Sequence, residues 1–147
     1  MRISTKGQYS LEALLYLAML PGKDFISTRS IADATGISEG YLEQLFIPLR
    51  KAGIIRGSRG KRGGYVPGRE PERITVGDIL RTAEGILEPV NCIKSIKCPI
   101  SSECTSRNIW ADLYREINSC VDSITLADLV NSLDKQSEKT REKTGTV

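Results

Sequence analysis

The 147-residue chain contains no histidine, and that absence removes several functions at once. Without an imidazole there is no Ser–His or Cys–His catalytic pair and no mixed Cys/His zinc site within one subunit. No other group of residues assembles a base, a nucleophile and an orienting partner, so an enzyme is the least supported class. Aromatic residues make up only 5% of the chain. No apolar run reaches the roughly 18 residues that a membrane span needs. The opening Met1-Arg2-Ile3-Ser4-Thr5-Lys6 has neither the apolar stretch nor the cleavage site of a secretory leader, and a cytoplasmic location is expected. In a reducing cytosol four cysteines do not form a disulfide framework, so metal or redox chemistry gains weight. The chain suits one domain whose 39% hydrophobic content supports a modest core.

The net charge of +3 hides an asymmetry. Residues 1–69 carry 11 Lys/Arg against 5 Asp/Glu, whereas residues 70–147 carry 10 against 13. The positive front suits a polyanion such as the DNA backbone, which would repel the acidic rear.

The front reads as a helix-turn-helix followed by a wing. Apolar spacing from Tyr9 to Leu20 predicts a buried helix that Pro21-Gly22 stops. A short helix follows with a Ser/Thr cap at Ser27-Thr28 and a Gly36 exit. Ser38 then caps a third helix that buries Leu42, Leu45 and Phe46, and Pro48 is expected to kink it or start a new turn. Ile54-Ile55-Arg56 and Gly64-Tyr65-Val66 predict a hairpin whose tip, Ser58 to Gly64, joins Arg59, Lys61 and Arg62 to three glycines. Gly60-Lys61 is no nucleotide-binding loop, because the four-residue spacer, the following Ser/Thr and the helix are missing.

In such a module the second helix enters the major groove amino end first. Ser38, Glu39, Gly40, Tyr41, Glu43 and Gln44 are therefore the candidate readers. Gln44 suits adenine N6 and N7, Glu43 suits cytosine N4, and Tyr41 suits a phosphate or a thymine methyl, the alternatives being a solvated helix face or, for Tyr41, half-buried packing. Arg2, Lys6 and Arg50 join the wing cations in the expected DNA-contacting set. Residues 1–85 form the winged helix-turn-helix domain.

Behind it, Thr75 with Asp78 predicts a capped helix running to about Gly85. Residues 86–103 read as a cysteine-bearing loop. A long amphipathic helix is expected from Cys104 or Thr105 to Val121, with Ile109, Trp110, Leu113, Ile117, Cys120 and Val121 on one stripe. It reads as a two-fold dimer contact, with packing inside its own subunit as the alternative, and Cys120 reads as a core residue. Thr125 caps a last helix ending near residue 134, and residues 135–147 are expected to be a disordered tail. The fold class is thus mainly α with a small β-hairpin: a winged helix-turn-helix with a long carboxy-terminal dimerisation helix.

Cys92, Cys98 and Cys104 have five residues between successive members. Three thiolates suit iron-sulfur clusters, zinc or cuprous ions, and the CxxC knuckle of structural zinc is absent; buried or redox thiols are the alternative.

The opening Met1 to Gly7, the segment Ser38 to Phe46 with Leu49-Arg50-Lys51-Ala52-Gly53, the wing from Arg59 to Tyr65 and the three cysteines together resemble the IscR-type iron-sulfur regulators. These belong to a winged-helix superfamily that also contains the nitric-oxide sensor NsrR and the cysteine-metabolism regulator CymR. The resemblance runs from residue 1 to about 134. It implies a homodimer on palindromic promoter DNA, a 2Fe-2S cluster on Cys92, Cys98 and Cys104, and control, as a repressor, of cluster-biogenesis genes. It further implies that Glu43 discriminates between operator classes, that Arg59 enters the minor groove, and that an iron-sulfur scaffold protein supplies the cluster. One position departs from the pattern: the relatives' histidine ligand, three residues after the third cysteine, is here Arg107, which cannot donate a lone pair. Glu12 or Gln8 from the first helix of the other subunit, or Glu103, would supply an oxygen in its place. An NsrR-like sensor keeps the three cysteines, whereas a CymR-like regulator shares the front half without needing them.

Overall fold

Three helices open the chain in the computed structural model, which describes residues 1–93 and 102–145. They are α1 (Thr5–Met19), α2 (Thr28–Thr35) and α3 (Glu39–Lys51). An antiparallel hairpin of β1 (Ile55–Ser58) and β2 (Gly64–Pro67) follows, then a 3-10 turn at Pro71–Arg73, α4 (Val76–Glu84), α5 (Arg107–Ser123) and α6 (Leu126–Thr144). The fold is mainly α with one small hairpin, as the sequence pattern implies.

The turn between α2 and α3 shows how local chemistry sets this geometry. Ser27 Oγ accepts the Ser30 amide at 3.1 Å, opening α2, and Gly36 closes it in the left-handed conformation, φ 75°, its amide bonded to the Ala32 carbonyl at 2.8 Å. Buried Ile37 pins the turn, and Ser38 Oγ accepts from the Tyr41 amide at 3.3 Å to open α3. α3 runs from Glu39 to Lys51 with Pro48 inside it, so no separate turn starts there. That proline lies in the closing turns, where its missing amide leaves only the carbonyl of exposed Gln44 to solvent.

Leu14 of α1, Ile31 of α2, and Leu42, Phe46 and Leu49 of α3 are sealed in one core with Ile54, Ile79 and Leu126. Phe46 packs against Tyr65 of β2 with ring centroids 4.5 Å apart and planes tilted by 56°, which holds the wing to α3. Ile26, just before α2, exchanges two backbone hydrogen bonds with Tyr65, at 3.0 and 2.8 Å. Gly64 makes this approach feasible: its φ is 153°, and a Cβ there would collide with the Ile26 carbonyl.

Val76, Leu80 and Leu87 form a second cluster, against which Ile117 and Val121 of α5 pack. Capping boxes open α4 at Thr75 with Asp78 and α6 at Thr125 with Asp128. The two helix starts are joined by Val76 N to Ile124 O at 2.9 Å and Leu126 N to Ile74 O at 2.8 Å.

Three expectations are corrected. The long helix begins at Arg107, not Cys104 or Thr105, because the Ser106 hydroxyl is engaged by Trp110 Nε1 at 3.2 Å and by the Cys104 thiol at 3.5 Å and caps nothing. Cys120 is exposed rather than buried, since α5 turns Ile117 and Val121 toward the cluster and leaves Cys120 off that face. The polar stretch from Lys135 is helical to Thr144. Lys, Gln, Glu and Arg propagate a helix already nucleated by the Thr125 box, and Ser137, Thr140 and Thr144 hydroxyls bond the carbonyls of Leu133, Gln136 and Thr140. Among the described residues no helix is long and apolar enough to cross a membrane.

Candidate nucleic-acid interface and cysteine segment

A cleft of about 500 Å³ opens between the start of α2, the outer face of α3 and the wing. Arg29, Arg50 and Arg59 line it together with Glu39 and Glu43. None of these five takes part in an ion pair found among the described residues. Three uncommitted guanidiniums around a groove suit phosphate and base edges, while the two carboxylates penalise any site that offers them no donor.

Of the sequence candidates, Glu43, Arg50 and Arg59 meet in this cleft. Lys61 and Arg62 lie on the other side of the wing, in a cleft with Lys23 and Ser30. Tyr41 and Gln44 border a smaller hollow shared with Lys6, Leu45 and Ala83. The Tyr41 ring is half-buried and meets Tyr9 edge-on at 5.8 Å and 83°, so packing accounts for its body and leaves only the hydroxyl end for recognition. Ser38 serves its helix as the cap, and Gly40 is exposed with open space where a Cβ would stand. Arg2 is exposed beside Ser4, Thr5 and Gln8.

Sequence reasoning missed Thr28 and Arg29, which the α2 cap directs into the main cleft. Their only sequence signal is a cation two residues after the Ser27 cap. It also missed Glu84, the last residue of α4. One oxygen of Glu84 accepts from the Ser4 amide at 2.9 Å, the Ser4 hydroxyl at 2.6 Å and the Gly7 amide at 2.9 Å. Ser4 makes no side-chain cap of its own to α1, so a carboxylate 80 positions away satisfies the helix start.

In the cysteine segment, Cys92 is exposed and Cys104 half-exposed, both as free thiols; Cys98 lies outside the described residues. The hydrogen bonds of Ser106, first its side chain and then its backbone, hold the Cys104 thiol below its usual pKa; burial opposes them, and the backbone and charge of Arg107 add lesser contributions in the lowering direction. A thiol biased toward thiolate and open to solvent is suited to bind a soft metal. Glu12, Gln8 and Glu103 are all exposed, and Gln8 Nε2 donates to the Ile3 carbonyl at 3.5 Å. Among the described residues no group of three or more Cys, Asp or Glu side chains converges within one subunit.

The chain is 41% identical over 138 residues to the HTH-type transcriptional regulator CymR of Bacillus subtilis, covering 94% of this chain and 96% of that protein. It is 35% identical over 134 residues to the HTH-type transcriptional regulator IscR of Yersinia pseudotuberculosis, covering 91% and 82%. The solved structure of CymR, the global cysteine regulator of B. subtilis, matches with a TM-score of 0.75 at 40% identity over 90% of this chain and 98% of that one. That of T. potens IscR matches with a TM-score of 0.74 at 38% identity over 92% and 90%. The likeness to IscR-type regulators is therefore shared with a CymR of higher identity. The iron-dependent transcriptional regulators of the Rrf2 family match residues 3–132, and on that coverage the chain belongs to the Rrf2 family and is a winged-helix transcriptional regulator, not an enzyme.

Proposed function

We propose that the chain is a cytoplasmic homodimeric repressor that binds palindromic promoter DNA and senses iron-sulfur status through a 2Fe-2S cluster, controlling cluster-biogenesis genes. The observation that carries the DNA part is the cleft in which Arg29, Arg50 and Arg59 face Glu43 across the helix-turn-helix and wing. Glu43 filters bases, Arg59 follows the minor groove, and Arg2, Lys6, Lys61 and Arg62 hold phosphates. Support for the dimer comes from α5, which buries no residue within one subunit and leaves Ile109 63% and Leu113 41% exposed.

Cys92, Cys98 and Cys104 would hold the cluster, with an oxygen from Glu12 or Gln8 of the partner subunit, or from Glu103, replacing the missing histidine. When bound, the group supplies a one-electron centre whose presence reports iron and sulfide supply. The free thiol of Cys92 and the lowered pKa of Cys104 support this ligand set. Anaerobic purification followed by an absorption spectrum and iron and sulfide analysis tests the reading; a colourless protein without iron or sulfide under those conditions rejects it.

A second reading, a regulator of cysteine metabolism, is favoured by the 41% identity to CymR. It predicts promoter binding that is the same whether or not iron and sulfide are supplied.

A further inference from the structure

Glu84 occupies an unfavourable place for a carboxylate. It ends α4, where the helix dipole already presents negative charge. Its surroundings explain the choice: three donors from the first turns of α1, the Ser4 amide and hydroxyl and the Gly7 amide, all converge on Oε1 within 2.9 Å. The fit leaves no slack, because a Cβ on buried Gly7 would collide with that same oxygen. The negative pole of one helix thus meets the positive pole of another through a single carboxylate.

The two ends of this contact lead to different functional regions. On one side, Ser4 and Gly7 bracket Lys6 and follow Arg2; Lys6 borders the hollow shared with Tyr41 and Gln44 of the reading helix, and Ala83, next to Glu84, borders it too. On the other side the backbone passes Gly85 and reaches Cys92 eight positions on, held midway by Leu87, which is buried and whose carbonyl accepts from Asn118 Nδ2 of α5 at 3.1 Å. Arg81, one turn before Glu84, is in turn bonded to Asn118 and Asp122 of α5.

We propose that Glu84 is a positioning residue for DNA binding: its three-donor contact fixes the amino-terminal turn of α1, and with it Arg2 and Lys6, to the end of α4 from which the cysteine segment departs. This rests on the DNA-binding reading above.

The test uses the full-length protein and a duplex enriched from a random library by the wild type. Each phosphate contact adds about 0.9 to the slope of log affinity against log salt. Glu84→Ala should weaken binding to that duplex roughly ten-fold at physiological salt and lower the slope by about one to two, and Arg2→Ala should cost less in the Glu84→Ala background than in the wild type. A purely structural role lowers the melting temperature and leaves the slope of the folded protein unchanged, an outcome that overturns the proposal, as does wild-type affinity in Glu84→Ala. If Glu84→Ala does not fold, Glu84→Gln carries the test. Its neutral amide keeps an acceptor oxygen without the charge, so the slope should fall by less but in the same direction; a wild-type slope there overturns the idea. Failure of the wild type to enrich any sequence rejects the DNA reading itself, a result distinct from enrichment by the wild type with no effect at Glu84.

Discussion

At the scale of single residues, a charge of the wrong sign is informative. Glu43 faces a cleft that three arginines line, where a carboxylate repels phosphates and is tolerated only by a base that donates to it. Glu43→Ala should therefore relax base preference by about 1 to 3 kcal/mol at one operator position while overall affinity holds or rises. Competition binding with single-base variants of the operator measures this, and an unchanged preference would remove Glu43 from the reading set. Gly64 makes a different kind of demand, for space. Its φ of 153° and the Ile26 carbonyl against it leave no room for a methyl group, so Gly64→Ala should destabilise the protein by at least 1 kcal/mol and loosen the wing. Equal urea midpoints for this variant and the wild type would contradict that. Glu43 could be found from the sequence because its neighbours define a recognition helix. Glu84 could not, since its partners lie about 80 residues away and nothing local marks a carboxylate as the cap of another helix.

At the scale of elements, legibility followed the range of the interactions. The starts of α2, α3, α4 and α6 were readable because Ser27, Ser38, Thr75 and Thr125 each cap within three residues. The far end of α6 was not, because composition speaks to burial and α6 beyond Leu133 has none. Its helicity is propagation from a good start. The Thr125 box supplies that start, and its hydrogen bonds, backbone before side chain, hold the Asp128 carboxyl below its usual pKa. A carboxyl whose folded pKa is depressed adds stability in full above the ordinary value of about 3.9 and loses it as the pH falls through the lower folded value. Thr125→Ala should therefore lower stability by about 1 kcal/mol near neutral pH, and its deficit against the wild type should shrink in acid, within the window between those two values. A deficit independent of pH in thermal melts would show that the box contributes no linked proton.

At the scale of the whole molecule, the front is complete within one subunit and the rear is not. Within the α5 stripe, Ile117 and Val121 pack against α4, while Ile109 and Leu113 face solvent; the sequence pattern could not divide the stripe because both parts have the same period. Leu113→Glu should yield a monomer by sedimentation that retains its fold and loses specific operator affinity by a factor of a hundred or so, since two half-sites must then be bound separately. The proposed cluster site draws on the same assembly. In the proposed cluster three thiolates leave one iron position open, for which Glu12 or Gln8 of the partner subunit, or Glu103, offers an oxygen. Oxygen binds iron less tightly than thiolate, and the cluster should be lost readily to air or mild acid. Cys92→Ser, Cys98→Ser or Cys104→Ser should each abolish the colour with the fold intact. Cys120 belongs to another part of the molecule: it stands 13 positions after Arg107 in α5, roughly 20 Å along the helix axis. Cys120→Ser should keep the visible spectrum of the anaerobic protein. If it bleaches instead, the exposed Cys120 of one subunit reaches the cluster of the other, and the oxygen ligands are displaced from the assignment.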